Sequence, residues 1–305
     1  MKKTIFLLLA LALSLSVGAQ TKKEAVSAVG SVSISTRPQS ASDADIETNI
    51  PSTRISNANT HVLIVANQDY KIEKKVTTAL NDGRLVKEYC IRTLGIPASQ
   101  IELRENRTTS EMEGDIEDFA KTIRYNKGDR FLFFYFGHGM HSPDVNSADA
   151  YLLPVDGNSE RLERTGVRRN WIMKQFGEAN PAQMVVYLES CFSGATSDNG
   201  MLKYSERSSG VRIKDNVETS FKGNIILLTA SSQSQTANAL DRHNVFTYEF
   251  LKELQRSKGN TTWGALFDKV EQETGRKAWN ALKRDQKPSV IPSPTLGNGW
   301  RSWKL

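Results

Sequence analysis

An α/β fold with a mostly parallel central sheet, covered by helices on both faces, is predicted by two features of this 305-residue chain. Short runs that are apolar throughout recur along it, as strands buried on both faces require. Amphipathic segments of helical period alternate with these runs, the order expected of a doubly covered parallel sheet. A third feature bears on function. Two of the runs end in a titratable residue, His138 and Cys191, and open parallel sheets collect their chemistry beyond the carboxyl ends of the strands.

The first 60 residues stand apart from that pattern. Lys2 and Lys3, the apolar Ile5 to Leu13 and the small residues Val17, Gly18 and Ala19 form a secretory signal, assigned to residues 1–19. The apolar run is short of the ~20 residues that a membrane span needs, and no later segment approaches that length. The chain is therefore expected to be exported, periplasmic or secreted, without a stable membrane anchor. Residues 20–59 are rich in Ser, Thr, Ala and Asn and poor in large apolar side chains. Such a stretch cannot offset its ordering entropy, and a flexible leader, whether linker or removable pro-segment, is expected.

The compact part is placed at 60–305. His61 to Ala66 is a β-branched apolar run closed by Asn and Asp, hence a buried strand. Residues 75–94 carry Val76, Leu80, Val86, Cys90 and Leu94 at roughly helical spacing, interrupted by Gly83 and ended by Gly95-Ile96-Pro97. Ile101 to Leu103 fits a second strand. Thr109 to Ile123 fits a helix with Thr109 or Ser110 at its start. FLFFYF, residues 131–136, is the third strand, and Tyr151 to Pro154 a short edge piece. A helix follows over Trp171 to Gly177, then the strand MVVYLES, the strand NIILLTAS, and helices at VFTYEFLKEL and over Ala265 to Ala281. The polar stretch at 196–222 lacks apolar periodicity and reads as an exposed loop of the kind proteases cut. The proline-interrupted C-terminus, with Trp300 and Trp303, is expected to pack on the core.

His138 follows the third strand and Cys191 the fourth, 53 positions apart. Thiol catalysis needs this pair: the thiolate attacks, and an adjacent imidazole helps to form it and later protonates the leaving amine. Gly137 and Gly139 give substrate backbone room, and the N–H groups of Gly139 and Cys191 are candidate oxyanion donors. Each residue alone has a plainer explanation, since a lone histidine is often structural and a lone buried cysteine an inert hydrophobe. Their joint placement at strand ends, beside Gly and Ser-Gly, favours chemistry. Cys90, on the apolar side of a helix, reads as core. His61, His141 and His243 are less well placed.

GHG after an aromatic strand, and acid-Ser-Cys-x-Ser-Gly after the next, resemble the caspase-like cysteine peptidases, whose histidine precedes the cysteine by ~50 residues. The likeness spans about residues 60–255 and includes ALNDG, DAYLLPVDG, TASSQSQTANA and HNVFTYEFLKEL. It is nearer to metacaspases and paracaspases, relatives of clostripain-type enzymes, in a bacterial exported form. A caspase-like three-layer α/β/α sandwich is implied, and with it an endopeptidase acting through a Cys191 thioester with His138 as acid–base partner. In metacaspases an acid two residues before the nucleophile, joined by an acid of the first helix region, lines the primary specificity pocket. Those positions are Glu189 and Asp82, and the resemblance thus implies cleavage after Arg or Lys, with a substrate cation reconciling two carboxylates. Plainer readings are a solvated strand-end charge for Glu189 and a turn or cap residue for Asp82. Ser231 and Ser232 match a wall that pairs with substrate backbone. In an enzyme of this specificity Lys203, Arg207, Arg212 and Lys214 are candidate sites of self-processing.

Other classes fare less well. The lysines and arginines are scattered among acids, which argues against nucleic-acid binding. Two cysteines make no disulfide framework, and no C-x-x-C or H-E-x-x-H offers a zinc site. Some metacaspases need calcium. Asp198 matches one ligand position, but too few oxygen ligands gather elsewhere, and no cofactor or metal is expected. Ser-Cys-Phe-Ser-Gly is not the elbow of an α/β-hydrolase. A catalytically silent caspase-fold scaffold or binding protein is the alternative. A monomer acting on protein or peptide substrates is the expectation.

Overall fold

The structure is a computed structural model describing residues 45–142, 147, 149–190, 221–231 and 237–305. Its centre is a six-stranded sheet in the order β2-β1-β3-β7-β8-β9. These strands are β1 (Thr60–Ala66), β2 (Ile101–Glu105), β3 (Arg130–Phe136), β7 (Gln183–Glu189), β8 (Ile225–Thr229) and β9 (Ser289–Pro292). All neighbours are parallel except β8 and β9, so the C-terminal strand closes the sheet antiparallel. Tyr151 and its neighbours do not lie on the edge of this sheet, as the sequence suggested. They form β5 (Ala150–Leu152), paired in a separate antiparallel sheet with β4 (Gly139–His141) and β6 (Val167–Arg168).

Strand periodicity sorts the core into two layers. Val62, Ile64, Phe134, Phe136 and Tyr187 face α2 (Ala79–Arg92), α6 (Val245–Ser257) and α7 (Trp263–Leu282). Leu63, Val65, Phe133, Tyr135 and Leu188 face α3 (Thr109–Tyr125) and α5 (Arg169–Ala179). Alternate residues thus meet opposite helix layers, the arrangement that continuous apolar strands anticipate. Cys90 is a free cysteine in the first layer, and burial pushes its thiol up to about 12. Gly83 does not interrupt α2. A Cβ there would lie 2.9 Å from the Ala66 Cβ and near Ile64 and Leu103, so its absence lets the helix rest directly on β1 and β2.

The compact domain begins before β1, earlier than residue 60. The short helix α1 (Asp45–Thr48) buries Ile46, whose carbonyl accepts the Tyr89 hydroxyl at 2.9 Å. The chain then follows the end of α2, with Thr53 N–H to the Arg92 carbonyl and Thr93 Oγ1 to the Pro51 carbonyl. A flexible leader through 59 is thereby revised for 45–59: Ile46 and Ile50 supply the apolar anchors that composition alone obscured. The C-terminus packs as expected. Trp300 is buried edge-to-face on Phe267, and Trp263 N–H donates to the Trp303 carbonyl. A further helix, α4 (Leu162–Thr165), precedes β6. Among the described residues no helix is long and apolar enough to cross a membrane.

Two helix glycines should respond in opposite senses. Gly83→Val, which must push α2 off the sheet, is expected to cost about 1–3 kcal/mol. Gly114→Ala, where a Cβ meets nothing within 4 Å, should stabilise by about 0.5–1 kcal/mol. Urea midpoints of the two variants against the parent chain check both.

Candidate active site

The parallel register of β3 and β7 sets Phe136 opposite Glu189. Two residues beyond Phe136 is His138; two beyond Glu189, in sequence, is Cys191, which lies outside the described residues. The Gly137 N–H reaches the Glu189 carbonyl at 3.4 Å, so the pairing persists past the strand end.

His138 is almost wholly enclosed, and its frame comes from the loop after β1. The ring Nε2 lies 2.7 Å from the Lys74 carbonyl. A carbonyl only accepts, so Nε2 carries a proton and Nδ1 of the neutral ring is left with the lone pair that a general base needs. The backbone N–H of His138 donates to Tyr70 Oη at 2.8 Å, and the Tyr70 ring lies 4.6 Å from the imidazole, tilted 45°. The single Tyr135 O–H is shared between the His138 carbonyl at 2.8 Å and that of Leu153 at 2.9 Å. Burial raises both phenols, so they stay protonated donors.

The role of Gly137 changes in this light. A Cβ there would lie 2.6 Å from Tyr70 Oη and 2.7 Å from Tyr135 Oη. The glycine makes room for two tyrosine hydroxyls rather than for substrate. The loop that supplies Tyr70 and Lys74 is tied from outside. Asn106 Oδ1 accepts the N–H groups of Gln68 and Asp69, and Glu73 Oε1 accepts Ser159 N–H and Oγ.

Glu189 projects from β7 onto the α2/α6 side. It is 3 % exposed, far from a solvated strand-end charge. Its Oε2 accepts Thr247 N–H at 2.8 Å and Thr247 Oγ1 at 2.6 Å, so it caps the first turn of α6 from another element. Its Oε1 is buried without a hydrogen-bond partner among the described residues. Burial pushes this carboxyl up to about 8; the Thr247 bond opposes the shift and the nearby Asp82 adds to it.

Asp82 is fully enclosed on α2 and already has its cation. Oδ1 lies 2.6 Å from His243 Nδ1, and Oδ2 accepts Asn244 N–H and Nδ2 at 3.1 and 2.8 Å. The expectation that a substrate cation reconciles both acids is revised for Asp82, whose partner is His243. Burial raises Asp82, against the pull of His243 and Asn244. Burial lowers His243, but Asp82 and then Glu47 more than offset it, and the ring ends above its usual value. Sequence reasoning passed over His243. Its signal was available in His-Asn immediately before an amphipathic helix, but the partners lie at positions 47 and 82.

The other candidates separate. Gly139 opens β4, opposite Leu152. Ser231 is buried, its carbonyl accepting Thr229 Oγ1 at 3.1 Å. Ser232, Asp198, Lys203, Arg207, Arg212 and Lys214 lie outside the described residues. No group of three or more His, Cys, Asp or Glu is arranged to hold a metal among the described residues.

Comparison with known proteins agrees with this architecture. The model of the caspase domain family matches residues 59–296. Protein GSU0716 from Geobacter sulfurreducens is similar in structure, with a TM-score of 0.57 and 16% identity over 81% of this chain and 97% of that one. Caspase-1 from Spodoptera frugiperda gives a TM-score of 0.54 and 14% identity over 81% of this chain and 91% of that one. Both show the fold alone. No curated protein matches the sequence. With the family model spanning the sheet, the His138 turn and the acids at α6, the chain belongs to the caspase domain family of cysteine peptidases.

Proposed function

We propose that the protein is an endopeptidase that cleaves after Arg or Lys, with Cys191 as nucleophile and His138 as its acid–base partner. The observation that carries the specificity is Glu189, a buried carboxylate two positions before Cys191 with one oxygen unpartnered among the described residues. An uncompensated buried acid is costly, and a guanidinium or ammonium from substrate is the group that relieves it. Support for the chemistry comes from the β3/β7 register and from the Lys74 carbonyl, which leaves His138 Nδ1 free of a proton.

In this reading Nδ1 accepts the Cys191 proton and the thiolate attacks the scissile carbonyl carbon. Gly139 and Cys191 N–H groups are the candidate donors to the oxyanion. The C–N bond then breaks as the imidazolium protonates the departing amine, leaving a thioester that water hydrolyses with the same imidazole as base. Cleavage of the chain itself, after Lys203, Arg207, Arg212 or Lys214, belongs to the same reading, as does export through residues 1–19.

Peptides ending in Arg, Lys or Asp distinguish the possibilities. Turnover of the basic peptides alone is expected, lost by more than about 10³-fold in Cys191→Ala. Turnover that survives this change, or a preference for Asp, would overturn the reading. Mass spectrometry of the active protein should find a new terminus between 196 and 222.

A pH dependence follows from Glu189. A cationic side chain binds the ionised carboxylate, and protonation near pH 8 competes with it. For basic peptides kcat/KM should therefore rise with pH through about 8. Glu189→Gln should flatten that limb and lower kcat/KM by about 10–100-fold, the loss of one charged hydrogen bond. Alkylation rates of Cys191 at each pH separate titration of the thiol from that of Glu189.

A further inference from the structure

Helix α1 ends in a chain of polar contacts that runs to the acidic site. Glu47 Oε1 lies 3.0 Å from His243 Nε2, and the opposite ring nitrogen lies 2.6 Å from Asp82. Arg242 grips the Glu47 carboxylate with two bonds, at 2.9 and 2.8 Å, and Asn81 Nδ2 adds a third at 3.1 Å. His243 is wholly buried, so neither ring nitrogen has water as an alternative partner.

The protons can be counted from geometry. Partial burial raises Glu47, but the bonds it accepts from Arg242 and Asn81, with the charge of His243, outweigh it and hold the carboxyl below its usual range. It is therefore ionised, and the hydrogen in its contact with the ring belongs to Nε2. The 2.6 Å contact on the other side joins Nδ1 to an oxygen, and two lone pairs cannot meet at that distance without a hydrogen between them. Wherever that hydrogen sits, on Nδ1 or on Oδ1, His243 and Asp82 together carry no net charge. Without the negative charge of Glu47 the Nε2 proton is held less firmly, and the pair can shed a proton and leave Asp82 anionic.

We propose that Glu47 is a positioning residue for the acidic site: through His243 it keeps Asp82 neutralised, so that a basic side chain of the substrate meets Glu189 as the single carboxylate. The inference rests on the specificity proposed above and assigns the N-terminal segment a part in it. The titratable and charged groups around the ring are Glu47 from α1, Asp82 from α2, Arg242 from its own loop and, beyond Asp82, Glu189 from β7. Asp45, the other acid of α1, is taken by Lys252 on α6.

The test uses the full chain and Glu47→Gln, which keeps an oxygen acceptor and the size of the side chain. In the parent protein the rising limb of kcat/KM for basic peptides reports Glu189. In Glu47→Gln a second negative charge appears at Asp82 as pH rises, and the midpoint of that limb should move up by about one pH unit. Glu47→Asp should restore the parent midpoint, and adding Asp82→Asn to Glu47→Gln should abolish the shift. The alkylation rate of Cys191 should stay within about twofold throughout, which a loosened fold would not allow. An unmoved midpoint in Glu47→Gln, or a shift that persists with Asp82→Asn, would overturn the proposal.

A second arm does not depend on turnover. Nitrogen-15 spectra of the His243 ring should show its proton lost at a lower pH in Glu47→Gln than in the parent chain. Identical His243 titration in both proteins would sink the inference even if basic peptides are cleaved. Should no basic peptide be cleaved, the specificity reading fails and the ring spectra alone decide the role of Glu47.

Discussion

Two carboxylates are held out of water at the first turn of α6, and the acidic site is organised around that expense. Burying a charge costs several kcal/mol unless donors meet it. Asn244 and Thr247 present backbone N–H groups that an isolated helix leaves unsatisfied, and Asp82 and Glu189 take them. The helix end and the acids thus satisfy each other, and the positive end of the helix dipole favours both. The arrangement also fixes α6 against β7 and α2, since the acids come from those two elements. What it leaves over is one oxygen of Glu189.

The histidine is built by the opposite means. A backbone carbonyl orients its ring and sets the tautomer, and two phenols hold its peptide groups. A carbonyl orients the ring through a neutral dipole, where a carboxylate would bring a full charge. His243 shows that alternative in the same molecule, pinned between two carboxylates and held above its usual value.

Much of this was legible in the chain. FLFFYF and MVVYLES declare buried strands, and the parallel register between them brings their carboxyl ends to one edge. Glu189 was expected at the site from resemblance and strand alternation, and the structure encloses it at the end of β7. Three things were not legible. The docking of 45–59 depends on Ile46 and Ile50, isolated apolar residues without period. Gly83 looked like a weakness in a helix because the Ala66 side chain it accommodates is 17 positions away. The partners of Asp82 are contributed from positions 47, 243 and 244, a contact set that no local pattern announces.

The place in the chain of the segment between β7 and β8 has a consequence for the integrity of the molecule. These two strands are neighbours near the middle of the sheet, in register from Met184 with Ile225 to Leu188 with Thr229. The elements after that segment, β8, β9, α6 and α7, are woven into what comes before it, through that ladder, through Thr247 on Glu189 and through His243 on Asp82 and Glu47. A broken backbone anywhere between residues 190 and 221 would yield two polypeptides but not two bodies. Each fragment would expose half a hydrophobic core on leaving the other, and the pair would persist as a non-covalent heterodimer whose interface is the interior of a domain.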